Sequence, residues 1–205
     1  MTLLRTIEAI ALLLFTILSV GLLRSWMQSM NGLWDLLFSL PAMAAGYLFA
    51  DLASGLVHWF CDTYFEEDTP WIGRMFIHPF RDHHRDPAAI TRHGFLELTG
   101  NGCLALLPLL VLVHILEPNL YWQAAWSGFA FGLFLTNVFH QWAHMSHPPA
   151  WVRLLQSTRL VLPPGHHRRH HSGGHDKAFC VTTGWGNIAL DLLVRLVPPP
   201  VRRPV

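Results

Sequence analysis

The 14 histidines of this 205-residue chain are the side chains best placed to do chemistry. Five of them fall in "GHHRRHHSGGH" at 165–175, where His167, His170 and His171 repeat the i, i+3, i+4 spacing of one helix face. His58 and Asp62 in "HWFCD" stand four apart, as do His140 and His144 in "HQWAH". His83 and His84 lie in "PFRDHHRDP", a stretch that Pro79 can open as a short helix and Pro87 can close. Neutral imidazole, alone or with a carboxylate, is a ligand for transition metals. One histidine at a helix end is an ordinary amphipathic residue, and "GHHRRHHSGGH" by itself could be a solvated tail. Four separate segments that each deliver imidazole point instead to a built polyhistidine site.

Zinc takes three or four protein ligands, and eight histidines with Asp62 exceed that number, so two metal ions are expected. Imidazole does not choose among zinc, copper, iron and nickel. The Glu-x-x-His pairs of soluble di-iron bundles and the "HExxH" helix of metalloproteases are both absent. His93, in "TRHGFLE", and His166 are further candidates, and His78 stays open. Ligating histidines usually donate their second ring N–H to a polar partner, a role that Asn137, Gln141 and Glu97 could fill. Asp51, seven residues before His58, is expected either to support the site or to contact lipid. Arg81 and Arg168, with Arg85 and Arg169, could meet lipid phosphate or could simply belong to a positive-inside surplus.

The elements that must carry these residues follow from composition. The chain is 52 % hydrophobic and 13 % charged, too apolar for an ordinary soluble domain. Its formal net charge of +1 gives no field to recruit nucleic acid. The fold expected is all-α, a single integral membrane domain over 1–205 with four transmembrane helices near 6–24, 34–60, 98–116 and 120–143. Histidine-rich segments 61–97 and 144–205 then form a cytoplasmic cap, because lysine and arginine concentrate there and the turn "EPN" between the last two spans has none. In this topology His114 lies a membrane thickness away from the other histidines and is excluded, and His147 and His175 are peripheral. Gly46, Ala50 and Ser54 recur every four residues and allow close helix packing in lipid. "GNIALDLLVRL" at 186–196 is too short to span and is expected at the interface, and the ending "VPPPVRRP" is expected to fray. Cys61, Cys103 and Cys180 form no C-x-x-C pair and read as buried apolar residues.

Taken together, "SGLVHW" with a following "DT", then "PFRDHHRDPAAITRHGFLE", "TNVFHQWAH", "LLQ", "HHRRHH" and "FCVTTGWGN" resemble the plasmanylethanolamine desaturase family over about residues 51–191. The resemblance implies a membrane-bound, O2-dependent desaturase with two iron ions, which converts an alkyl ether phospholipid into the vinyl ether of a plasmalogen. It implies His58, Asp62, His83, His84, His140, His144, His167, His170 and His171 as metal-binding residues, with Asp62 and His144 central to catalysis. His166 and His93 fall inside matching blocks. "HHRRHH" can be read as H-x-x-HH from His167 or H-x-x-x-HH from His166, and the family pattern has arginine where His78 stands. No haem, flavin or dinucleotide fingerprint occurs, so electrons are expected from an external cytochrome b5-like or ferredoxin-like donor. The compact chain is expected in a bacterial inner membrane, or in the endoplasmic reticulum of a eukaryotic host. An acyl-lipid desaturase or hydroxylase would carry the same boxes. A metal transporter would instead place its ligands near the midplane.

Overall fold

Run length and the placement of proline, glycine and asparagine decide where the helices begin and end. The computed structural model describes residues 3–197, and within them the chain is helical, with no strand. Eight α-helices follow in order: α1 Leu3–Ser29, α2 Leu33–Tyr64, α3 His78–Arg85, α4 Phe95–Leu116, α5 Leu120–His144, α6 Ala150–Ser157, α7 Pro164–His171 and α8 Asn187–Leu196. A π-helical turn at Gly73–Ile77 leads into α3, and a 3₁₀ turn at Ala89–Arg92 precedes α4. The ending "PPPVRRPV" lies outside the described residues.

Helices α1, α2 and α4 are long and apolar enough to cross a membrane. Helix α5 has the length, but Gln123, Ser127, Thr136 and Asn137 dilute its apolar character and it falls outside that group. The long helices outrun the ranges expected from hydropathy, because nothing breaks them at the edge of the apolar run. Helix α2 continues through Trp59 for another turn, which keeps Asp62 helical and on the face of His58. Helix α5 starts where Asn119 Oδ1 accepts the backbone N–H groups of Tyr121 and Trp122 at 3.1 and 3.2 Å, a side-chain cap for otherwise unpaired donors. Helix α3 has Pro79 at its start and ends just before Pro87, as its prolines predict. Helix α6 was not foreseen; it begins immediately after Pro148 and Pro149, whose fixed φ suits a helix start.

The contacts divide the chain into two compact units. The first comprises residues 1–50 and 93–138. Here α1 packs along α4, and the first part of α2 meets that of α5 at backbone distance. A Cβ on Gly46 would land on the Ala125 carbonyl, and one on Gly128 on the Met43 carbonyl, so the small-residue spacing does what it predicts. Glu8 is 3 % exposed; it accepts from Arg5 at 3.4 Å, and Arg5 also reaches Glu97 at 2.8 Å. Aliphatic side chains such as Ile10, Leu13, Ile17 and Val20 cover the exposed surface of α1, as in a lipid-facing helix.

The second unit comprises residues 51–92 and 139–205. It holds the last turns of α2 and α5, the short helices α3 and α6 to α8, and the loop 172–186. Trp59, Phe179, Cys180 and Leu190 form one apolar cluster, and Ala143, Leu162 and Val181 another. All three cysteines are free and buried.

Candidate metal centre

Each wall of the site comes from a helix end in the second unit. His58 and Asp62 project from the last turns of α2, His140 and His144 from the last turns of α5, His83 and His84 from α3, and His167, His170 and His171 from α7. Among the described residues, two groups bring their ligand atoms to within 4.8 Å of one another. His83, His140, His144, His167 and His171 make the first, and His58, Asp62, His84 and His170 make the second. Each histidine doublet is divided: His83 and His171 serve the first group, His84 and His170 the second. Consecutive side chains on a helix diverge by about 100°, so a doublet can serve two adjoining centres where a spaced pair would serve one. The ring centroids of His83 and His84 lie 6.1 Å apart and those of His170 and His171 lie 5.3 Å apart.

In the first group the Nε2 atoms point at one another. The separations are 2.8 Å for His140–His167, 2.7 Å for His144–His167, 3.0 Å for His167–His171, 3.0 Å for His83–His171 and 3.1 Å for His83–His144. Two nitrogens held ~2.1 Å from one ion lie ~3.0 Å apart at a right angle and ~3.4 Å apart at a tetrahedral one. Five mutually facing nitrogens cannot all be satisfied by protons, since each N–H serves one neighbour. A shared cation satisfies them together.

The second group has a decisive tautomer. His58 Nδ1–H donates to the Phe179 carbonyl at 3.0 Å, and His170 Nδ1–H to the Lys177 carbonyl at 2.9 Å. In the neutral form each ring is thereby left with a bare Nε2, the atom a metal would take. Asp62 Oδ2 stands 3.2 Å from His58 Nε2 and 3.5 Å from the Nε2 atoms of His84 and His170. His84 Nε2 and His170 Nε2 are 3.0 Å apart. Both Asp62 oxygens and His58 Nε2 are buried without a hydrogen-bond partner. A buried carboxylate facing lone pairs is costly, and a metal ion is the group that would neutralise it. The residues therefore fit two metal ions.

Burial sets the charge state. It pushes His83 down to about 2, with neighbouring rings adding to the effect, and His171 down to about 3 in the same way. His84 falls to about 4 for the same first reason, with Asp62 opposing. His167 and His170 are held well below the usual imidazole range, by burial first and neighbouring histidines second. These rings are neutral at physiological pH, the form that binds metal.

The remaining expected residues fall elsewhere. Asp51 is 0 % exposed and so is not a lipid contact. Its Oδ1 accepts the N–H groups of Thr182, Thr183 and Gly184 at 3.0, 2.7 and 3.1 Å, and its Oδ2 accepts Gly186 N–H at 2.8 Å and Thr183 Oγ1–H at 2.9 Å. It ties down the loop whose Lys177 and Phe179 carbonyls orient His170 and His58. Gln141 Nε2 donates to the Ile90 carbonyl at 2.8 Å. In the first unit, Asn137 Nδ2 donates to the Leu98 carbonyl at 3.1 Å, and Glu97 takes Arg5, with His93 Nδ1 3.8 Å away. Arg81 donates to the Phe65 carbonyl at 2.9 Å, which takes that donor from any lipid phosphate, and Arg168 is exposed. His93 and His166 join neither group, and His78 pairs with Glu67 and Asp82 at 2.8 and 2.9 Å. His114 bonds the Leu18 carbonyl at 2.9 Å. His175, expected at the periphery, stacks on His84 with centroids 4.1 Å apart. Only its place in the same histidine-rich run signalled that contact.

A family model described as the lipid desaturase domain matches residues 47–196. The chain belongs to that family. It is thus an oxidoreductase of a membrane-lipid family, and all nine residues of the two groups fall inside the match. The "plasmanylethanolamine desaturase" of Myxococcus xanthus is 42 % identical over 194 residues, which cover 92 % of this chain and 68 % of the relative. Mouse "plasmanylethanolamine desaturase 1" is 45 % identical over 161 residues, covering 74 % of this chain and 59 % of its own length. "Fatty acid desaturase 4, chloroplastic" of Arabidopsis thaliana is 34 % identical over 157 residues, 72 % of this chain and 47 % of that protein. The chain thus spans about two thirds of the bacterial relative and less of the other two. No solved structure matches it significantly.

Proposed function

We propose that this protein is a di-iron plasmanylethanolamine desaturase that forms the vinyl ether of plasmalogens in an alkyl ether phospholipid. The observation that carries the reading is the paired geometry: two adjoining ligand groups, one of which contains a buried carboxylate without a hydrogen-bond partner that a cation would satisfy. His83, His140, His144, His167 and His171 would hold one ion, and His58, Asp62, His84 and His170 the other. A pair of iron ions, when bound, supplies the one-electron chemistry that lets O2 accept hydrogens from an unactivated chain. Overall, two hydrogens leave neighbouring carbons, and with two electrons and two protons O2 becomes two waters. The protein's part is to keep these nine ligands gathered and oriented. Lys177 and Phe179 fix two rings through their carbonyls, and Asp51 fixes the loop that carries them.

The electrons come from a separate carrier protein in this reading. Helix α5 serves as a fourth span beside α1, α2 and α4, with the ligand-bearing ends of α2 and α5 at the cytoplasmic boundary. Identity of 42 and 45 % to relatives named for the ether substrate, against 34 % to one named for fatty acids, supports the ether over the acyl reading. The test is lipid mass spectrometry, with and without mild acid, on a plasmalogen-free host fed alkyl ether phospholipid. The wild type is expected to yield acid-labile vinyl ether lipid and His144→Ala none. Unchanged ether lipid from both, with protein in the membrane, overturns the substrate assignment, and new double bonds in acyl chains would replace it with the acyl reading.

A further inference from the structure

A second polar cleft lies in the same unit, between α7 and α8, and none of its groups belongs to the metal-binding sets. It is lined by His166, Arg169, Asp191 and Arg195, with Ile188 and Leu192 at its edge. We propose that this cleft seats the phosphoethanolamine headgroup of the lipid substrate, its phosphate on Arg169, Arg195 and His166 and its ammonium on Asp191.

Three features carry the assignment. The first is the charge pattern: two guanidinium groups and one carboxylate in one cleft are the countercharges of a zwitterion, and arginine forks match phosphate oxygens. Asp191 Oδ1 is committed to the Ala178 N–H at 2.8 Å, but its Oδ2 lies 3.6 Å from Arg169 Nη2, beyond hydrogen-bond length, so the pair is loose. The second is His166. Asn187 Oδ1 accepts the Cys180 N–H at 2.9 Å, so Asn187 Nδ2 is the donor to His166 Nε2 at 3.2 Å. That fixes the neutral ring with its proton on Nδ1, a donor. The ring also packs on Gly184, where φ is +82° and a Cβ would collide with it, so its position is built. The third is the rim. Ile188 and Leu192 are 77 % and 59 % exposed, four residues apart on α8, an apolar stripe suited to the lipid–water boundary.

Distance along the substrate agrees. In an alkyl ether phospholipid about six bonds, on the order of 8 Å extended, separate phosphorus from the first carbon of the new double bond. An enzyme acting there must hold the headgroup close to its metals, whereas a mid-chain desaturase need not. His166 is the chain neighbour of His167, which belongs to the five-histidine group. This inference rests on the ether-desaturase reading above.

The test is calorimetric titration of the purified, metal-loaded protein in detergent with short-chain phosphatidylethanolamine, short-chain phosphatidylcholine and inorganic phosphate. Arg195→Gln is expected to weaken phosphatidylethanolamine binding about tenfold and Arg195→Lys far less, with Arg169→Gln/Arg195→Gln weaker still. Asp191→Asn, which keeps an acceptor for Ala178, is expected to weaken the ethanolamine lipid but not the choline lipid. Metal content and circular dichroism report folding, and Arg195→Gln, on α8 and away from the ligands, keeps the test valid if the double variant misfolds. Unchanged phosphatidylethanolamine affinity in folded Arg195→Gln overturns the proposal. So does inorganic phosphate binding as tightly as the lipid, which would make this a free-anion site. A wild type that makes no vinyl ether but binds the lipid through Arg195 sinks the ether reading and leaves the cleft standing. Vinyl ether formation with Arg195-independent binding does the reverse.

Discussion

Replacing Asp62 by asparagine should change stability in opposite directions in the metal-free and metal-loaded protein. The side chain keeps its shape and loses its charge. Without metal, the wild-type carboxylate is buried at 3 % side-chain exposure, neither oxygen has a donor, and the bare Nε2 atoms of His58 and His170 face it at 3.2 and 3.5 Å. An unsatisfied buried polar group costs about 1–3 kcal/mol, and more if charged. Asparagine relieves this twice, by removing the charge and by offering an amide N–H to one of those nitrogens. The metal-free variant should therefore gain about 1–3 kcal/mol, at about 2–4 °C per kcal/mol for a chain of this length.

With metal the sign reverses. Asp62 is the only carboxylate in either ligand group. If its loss weakens binding at the second group about 100-fold, the stabilisation from bound metal falls by about 2.7 kcal/mol under saturating conditions. The assay is thermal unfolding in detergent, with chelator and with anaerobic Fe(II) or redox-inert Zn(II), alongside metal content per chain. The variant is expected to be more stable than wild type in chelator and less stable in metal, and to bind about one ion where wild type is expected to bind two. Equal destabilisation in both conditions, or two ions retained, would refute a ligand role for Asp62.

Acidification offers an independent check. The ring pKa values sit below the usual 6.5, His84 at about 4, His171 at about 3 and His83 at about 2, so the unfolded chain binds more protons than the folded one in this window. Stability of the metal-free protein should be full above about pH 6.5 and fall as pH drops toward 4 and below, which pH-dependent unfolding midpoints would show; a flat profile would contradict neutral, buried rings. Asp51→Ala should strip four backbone N–H groups and the Thr183 hydroxyl of their acceptor, costing about 3 kcal/mol or more. Hydrogen exchange would then rise first at residues 182–186, and metal content would fall although no ligand is touched. His78→Ala and His93→Ala should leave metal content unchanged by elemental analysis, since neither residue joins a ligand group; a lost ion in either would redraw the site. Gly46→Ala should be strongly destabilising, because its methyl lands on the Ala125 carbonyl, and Gly94→Ala close to neutral, because nothing lies within 4 Å of that position; thermal unfolding of the pair checks this.

How much of this was legible in the sequence depended on the range of the interaction. The pairs His58/Asp62 and His140/His144 are i, i+4 relations within one helix, and spacing alone states that they share a face. The proline-bounded helix carrying His83 and His84 was equally local. The supporting residues were not, because orienting a ring is a long-range act with no periodicity. Asn137, Gln141 and Glu97 stood at plausible offsets from histidines, and their hydrogen-bond partners include the Leu98 carbonyl, the Ile90 carbonyl and Arg5. The groups that do orient His58 and His170 are backbone carbonyls, which every residue possesses and no motif can announce.

Asp51 shows where a stronger inference was available. A carboxylate in an apolar helix must find donors or a cation, and the chain segment best able to surround it is one with unpaired N–H groups. "CVTTGWG" is such a segment: it is too rich in glycine and threonine to continue a helix, and it follows the histidine run that needs bracing. Pairing the two from charge satisfaction would have placed the loop against α2 before any coordinate was known. The same reasoning makes Asp51 and Asp62 opposites on one helix, eleven residues apart. Asp51 is satisfied by backbone donors and so structural, whereas Asp62 has no hydrogen-bond partner and so is available to a metal. The test that separates them is metal-dependent stability, since Asp51→Asn should destabilise with and without metal while Asp62→Asn should change sign.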